Sequence, residues 1–189
     1  MLKASKFISE LIKVFPNCRF KVIKPFELKT IFMPYAGVQL DKNILLRFKS
    51  VIAYSAYTAT ACDYHIRDSV TPYVIAALKM ISQGSRYTID KDYCIPRKEV
   101  AVKAGLGKIA YNGLFFDTEY GLDCKLDCVF TDLEFEDISE FNSEDYRLDI
   151  CKECNKNCAC KCPVKACGEY KITYIGRCDN LITPFAKLQ

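Results

Sequence analysis

The alternation of apolar and polar positions divides the chain into short elements. In residues 5–15, Phe7, Ile8, Leu11, Ile12 and Phe15 recur at helical spacing as one stripe, with Ser5 placed to cap the first turn and Pro16-Asn17 to end the last. Residues 19–23 (RFKVI) predict a short strand closed by Pro25, and 31–37 a loop carrying a proline and a glycine. Residues 48–57 (FKSVIAYSAY) have the Val, Ile and Tyr content of a buried strand, and the Tyr-rich stretch 54–64 reads as core rather than as a stacking platform. A second helix is predicted over 68–83: Val70, Tyr73, Val74, Ala77, Leu78 and Ile81 share a face, Gly84 supplies the stop, and Pro72 falls in the first turns, where proline is tolerated. A strand over 86–90 and a helix over 97–104 follow. That helix stops at Gly105, and Gly105, Gly107 and Gly113 make the next segment turn-rich. Residues 126–131 predict another strand, with Cys124 and Cys128 packing about its start, and the acidic stretch 132–149 predicts surface loops. Interleaved strands and helices, with no internal repeat, predict an α/β body, α+β being the alternative: one mixed sheet with flanking helices.

Composition bounds the function. The chain has 189 residues, hydrophobic residues make up 50% and charged residues 26%, so it can bury a core and is neither disordered nor fibrous. Lys plus Arg is 27 against 23 Asp plus Glu, a net charge of +4 that does not argue for a dedicated nucleic-acid binder. No apolar run reaches the roughly 18 residues needed to span a bilayer. Residues 1–15 lack an apolar core followed by a cleavage site, so no secretory signal is read and a cytoplasmic protein is expected.

Cysteine is the outlier. Of 12 in the chain, seven lie in 151–189 and six of those between Cys151 and Cys167. Residues 151–189 hold seven Lys or Arg and three Asp or Glu, net +4, which leaves residues 1–150 neutral. The chain is therefore expected to divide into a globular body, 1–148, and a basic, ferredoxin-like cysteine-rich segment, 149–189. Clustered cysteines without an export signal point to a metal site in a reducing compartment. Cys151, Cys154, Cys158, Cys162 and Pro163 give C-x2-C-x3-C-x3-C-P, one residue longer than the bacterial ferredoxin run, with Cys160 as an extra cysteine in the last spacer. Thiolates at this spacing suit an iron–sulfur cluster or, as the alternative metal, zinc; disulfides or unligated thiols are the third reading. A cluster would draw its fourth thiolate from Cys162, Cys160, Cys167 or Cys178. Lys152, Lys156, Lys161 and Lys165 flank the run as a solvated face, as compensation for cluster charge, or as a docking face for an electron-donor protein of flavodoxin or ferredoxin type.

Further residues carry a family resemblance. Glu99 to Gly107, followed by Lys108-Ile-Ala-Tyr-Asn-Gly-Leu114, resembles the motif region of the epoxyqueuosine reductase family. Asp63-Tyr64-His65, the strand at 126–135 with Thr131-Asp132, the cysteine run and Arg177-Cys178 resemble further family features in the same order, over about residues 48–180. The resemblance implies an oxygen-sensitive oxidoreductase in which a 4Fe-4S cluster passes electrons to cobalamin, which reduces the epoxide of a modified tRNA base. It implies that Ala104, Gly105, Leu106, Gly107 and Asn112, with His65, contact the corrin, and that Asp90, or Asp92, stands for the general acid. Cys151, Cys154, Cys158 and Cys162, with Cys178, are the implied metal ligands. Lys108 replaces the family's tryptophan, and neither a second ferredoxin run nor the tRNA-binding C-terminal region has a counterpart, so nucleic acid is not expected as a partner. From the residues alone, His65, the only histidine, also reads as a hydrogen-bonding group near a helix start, Asp90 and Asp92 as turn residues, and the three glycines as a chain reversal. The rival function is a non-catalytic module, stabilised by zinc or a cluster, for interaction or electron carriage.

Overall fold

The computed structural model of the chain describes residues 2–29, 42–58, 66–82, 84, 87–89, 95–138, 145–163, 165 and 167–172. In chain order the elements are β1 (Leu2–Lys3), α1 (Ala4–Val14), β2 (Cys18–Ile23), β3 (Ser50–Tyr57), α2 (Ile66–Ile81), β4 (Tyr87–Ile89), α3 (Arg97–Lys103), β5 (Gly107–Ile109), β6 (Phe115–Asp117), β7 (Cys124–Thr131), β8 (Phe135–Glu136), α4 (Ile150–Glu153), α5 (Asn157–Cys160), β9 (Cys167–Gly168) and β10 (Lys171–Ile172). A 3-10 turn at Ile44–Arg47 precedes β3. The expected loop at 31–37 lies outside the described residues.

The central sheet has the order β2-β3-β7-β4, antiparallel at each pairing. β3 pairs along its whole length with β7, from Ser50 opposite Thr131 to Tyr57 opposite Cys124. Its side chains alternate between two cores. Ile52, Tyr54 and Ala56, with Val129 of β7, face Ala4, Phe7 and Leu11 of α1 and Val70, Val74 and Leu78 of α2. Val51 and Ala53, with Cys128 and Phe130 of β7, face Val100, Ala101 and Val102 of α3 and Ile109 and Phe115 of the β5–β6 hairpin. The expected helices and body strands are present, arranged as a helix layer, a sheet, and a second layer of one helix and a hairpin. The α/β expectation holds in its mixed α and β content.

Three details depart from expectation. Ser5 is not the cap of α1: it lies inside the helix, whose first turn is capped by Asp137, with Ala4 N–H donating to Asp137 Oδ1 at 2.7 Å and the Ser5 hydroxyl donating to Oδ2. The stretch after β7 is not wholly surface loop, because Phe135 is buried, pairs through β8 with β1, and stacks on Phe7 at 5.3 Å. Helix α2 begins two residues earlier than expected, which moves Pro72 into its second turn.

A buried polar clasp joins the two layers at Asp127, on the stretch of β7 beyond its pairing with β4. Asp127 of β7, 7% exposed, accepts from Arg97 Nε of α3 at 2.9 Å, from Thr71 Oγ1 of α2 at 2.9 Å and from the Cys128 N–H at 3.0 Å. Tyr54 Oη completes it on Thr71. Replacing Asp127→Ala takes the acceptor from a cation and a hydroxyl at once, and is expected to cost about 3 kcal/mol of stability by urea denaturation, with Asp127→Asn costing less.

Candidate functional site

The segment over 104–114 is shaped by helix termination and by the hairpin it opens into. Gly105, at φ +69°, ends α3: its N–H donates to Val102 O at 2.9 Å and the Leu106 N–H to Ala101 O at 3.0 Å, a paired closure that needs a left-handed residue between. Ala104 and Leu106 are buried in the core. Gly107 lies so close to β6 that a Cβ built on it would sit 2.1 Å from Phe116 O and 2.7 Å from Phe115 Cζ. Asn112 closes the following turn, its Oδ1 accepting from the Leu114 N–H at 3.1 Å, and Lys98 of α3 reaches underneath to donate to Gly113 O at 2.6 Å. Burial lowers the Lys98 pKa below the usual lysine value.

The cysteine-rich segment is stitched to this loop. Ile109 of β5 forms a parallel bridge with Arg147: the Ile109 N–H donates to Tyr146 O at 2.7 Å and the Leu148 N–H to Ile109 O at 2.8 Å. Three residues on, α4 begins, and Cys151 is buried beneath the loop with the Tyr111 N–H donating to its Sγ at 3.3 Å. Cys154 is exposed, its Sγ accepting from the Lys156 N–H at 3.3 Å. Cys158 and the extra Cys160 are exposed on α5, and Cys162 is half-buried. Cys151, Cys154, Cys158 and Cys160 carry free thiols.

Charges order the seam. Lys108 and Lys152 both hold Asp149, at 2.7 and 2.8 Å, and Lys152 also reaches Asp145 at 3.4 Å. Lys108, then Lys152, pull the Asp149 pKa from its ordinary 3.8 to about 2, and Asp149 in turn raises that of Lys152. Of the four flanking lysines, Lys152 is thus engaged with carboxylates, and Lys156 lies over the Tyr111 ring, its Nζ 4.8 Å from the centroid. Lys161 and Lys165 are exposed.

His65, Asp90 and Cys178, with Asp92, lie outside the described residues, as does the side chain of Cys167. Among the described residues, no three Cys, His, Asp or Glu side chains close into a group that could hold a metal. The donor chemistry nonetheless fits a thiolate-ligated centre: thiols crowd onto two one-turn helices, and two of the sulfurs already receive backbone N–H groups. The fit to a corrin at Gly107 is poor, since the space left by its missing side chain is filled by β6. Neither the contact of Tyr111 with Cys151 nor the 146–148 bridge follows from the sequence pattern; an aromatic residue inside a glycine-rich turn is the one available signal for the former.

No family model matches the chain, and no curated protein matches it. Solved structures do. The chain is similar to an epoxyqueuosine reductase from Streptococcus thermophilus, at TM-score 0.68 and 18% identity over 90% of this chain and 55% of that one. It is also similar to the Bacillus subtilis epoxyqueuosine reductase captured with a catalytic loop swung out of the active site, at TM-score 0.63 and 18% identity over 89% and 54%. A third similar structure is an epoxyqueuosine reductase with an epoxyqueuosine-modified tRNA stem loop, at TM-score 0.62 and 19% identity over 89% and 55%. The chain thus spans about half the length of these proteins. The likeness is one of fold, and it covers more of the chain than the 48–180 stretch in which the motifs lie.

Three outcomes are expected. Gly107→Ala drives a Cβ into the β6 backbone and should cost about 3 kcal/mol by urea denaturation, with loss of the β5–β6 amide protection in hydrogen exchange. For Asp149, whose folded pKa is depressed, the contribution to the seam is present above pH 3.8 and lost as the pH falls towards 2. Lys108→Ala should return its carboxyl titration, followed by NMR, towards 3.8.

Proposed function

We propose that the protein is an iron–sulfur redox protein of epoxyqueuosine-reductase-like fold. Cys151, Cys154, Cys158 and Cys162 would hold a 4Fe-4S cluster, with Cys178 or Cys160 as substitute for the fourth ligand. The observation that carries this reading is the Ile109–Arg147 bridge, which places the thiol-bearing segment directly against the 105–113 loop of a reductase-like body. When bound, such a cluster supplies single electrons. The chain's own residues supply the rest. Cys151 is shielded from water beneath the loop, and backbone N–H groups meet Cys151 and Cys154; the thiols of 154–162 would complete the ligand set, since metal binding and local ordering are coupled. The electrons would pass to a cofactor or substrate beside the loop, with Asp90, which follows β4 in the sequence, as the proton donor and His65, which precedes α2 in the sequence, as a contact. The space at Gly107 is filled by β6 and leaves no room for a corrin there. Exposed Lys161 and Lys165 beside the cysteines favour an acidic donor protein of flavodoxin or ferredoxin type. Free thiols suit a reducing compartment such as the cytoplasm; no helix among the described residues is long and apolar enough to cross a membrane.

Anaerobic purification with iron and sulfide reconstitution tests the reading. A broad absorption band near ~400 nm with stoichiometric iron and sulfide is expected, reduced severalfold by Cys151→Ala or Cys154→Ala. One equivalent of zinc and no colour would overturn it in favour of a structural module.

A further inference from the structure

Resting on the cluster reading above, we infer that Tyr111 is a positioning residue for both sulfurs of the Cys151-x2-Cys154 pair, and that it raises the reduction potential of the centre they form. The two N–H···S contacts differ in origin. The Lys156 N–H reaches Cys154 from two residues away, which a Cys-x2-Cys turn supplies by itself. The Tyr111 N–H reaches Cys151 from 40 residues away, so this sulfur's environment is set by the glycine loop. The ring of the same tyrosine holds the Lys156 ammonium at 4.8 Å, a cation–π contact. The contacts therefore close a circuit: Cys151 Sγ to Tyr111 amide, Tyr111 ring to Lys156 ammonium, Lys156 amide to Cys154 Sγ.

Tyr111 is itself fixed by the β9–β10 hairpin. The Tyr170 N–H donates to Tyr111 O at 2.9 Å, the two rings meet edge to face at 5.4 Å, and the Arg147 guanidinium lies 5.5 Å from the Tyr170 ring. Gly168, at φ +150°, brings the β9–β10 hairpin against the Tyr111 ring and Ala159. Contacts to the carbonyl and to the ring of Tyr111 together exceed what closing the 110–113 turn requires. Its electrostatic effect has one sign. A reduced cluster carries one more negative charge than the oxidised one, and both an N–H aimed at a ligand sulfur and an ammonium held on the ring of the residue that supplies that N–H favour that charge. Without the ring, the Lys156 side chain is released and the Tyr111 amide keeps only its backbone bond to Tyr170, so both effects weaken together.

The test uses the full chain, wild type and Tyr111→Ala, Tyr111→Phe and Lys156→Gln, reconstituted anaerobically and titrated electrochemically with EPR detection. Tyr111→Ala and Lys156→Gln should shift the midpoint potential downwards, Tyr111→Ala further, while Tyr111→Phe keeps the ring and stays at the wild-type value. A second measurement needs no cluster: iodoacetamide alkylation of the metal-free protein, read per cysteine by mass spectrometry. Cys151 should react slowly beside exposed Cys160 in wild type and Tyr111→Phe, and at a rate approaching that of Cys160 in Tyr111→Ala. Variants that load iron but keep the wild-type potential, or an unchanged Cys151 alkylation rate in Tyr111→Ala, overturn the inference alone. Wild-type protein that takes up no iron overturns the reading beneath it, and the inference with it.

Discussion

A strand that is apolar on both faces must be covered twice, and β3 imposes that requirement on the whole chain. Ile52 and Tyr54 on one side and Val51 and Ala53 on the other are all shut from solvent. With β2 and β7 hydrogen-bonded to its edges, the strand is shut from water from Ser50 to Ala56, and its last residue, Tyr57, is exposed. The first cover, α1 and α2, is conventional amphipathic helix. The second is composite, because α3 is only seven residues long and cannot cover the sheet alone. The β5–β6 hairpin completes it, contributing Ile109 and Phe115 to the core. The loop with candidate chemistry is therefore also a structural lid, and this explains why its small residues are used inwardly.

That double duty shapes the site. The backbone of β5 looks two ways: Ile109 sends its side chain into the core while its amide and carbonyl hold 146–148. Among the described residues, the cysteine segment thus inherits its placement from the core without adding many buried side chains of its own, Cys151 being the exception. What orders it beyond that bridge is polar and aromatic: the Lys108–Asp149–Lys152 group and the Tyr111–Tyr170 pair. Salt screens the first and not the second.

The elements legible in the sequence are those with a full period of pattern. β3 and α2 have eight and sixteen residues on which alternation or helical spacing can show, and α1 has eleven. β5, β6 and β8 have three residues or fewer, too few for any period, and the acidic neighbours of Phe135 masked the one apolar residue that mattered. Gly105 was legible as a helix stop because helix termination is local chemistry. Gly107 was not legible in its actual role, because the backbone that crowds it is nine residues away and across a turn. Within the site, the spacing of Cys151, Cys154, Cys158 and Cys162 was evident at once. The residue that touches Cys151 from the loop was not, since a backbone amide leaves no signature in side-chain type.

The cap on α1 has a consequence for how the chain is made. Asp137 lies 133 positions beyond Ala4, the residue whose N–H it accepts. At ribosomal speeds of about 5–20 residues per second, the first turn of this helix waits on the order of ten seconds for its acceptor to be synthesised. Until then its leading amides face water or a chaperone, and the helix gains its fixed start only when the stretch after β7 folds back beside β1. The beginning of the polypeptide is thus among the last parts of the fold to be secured.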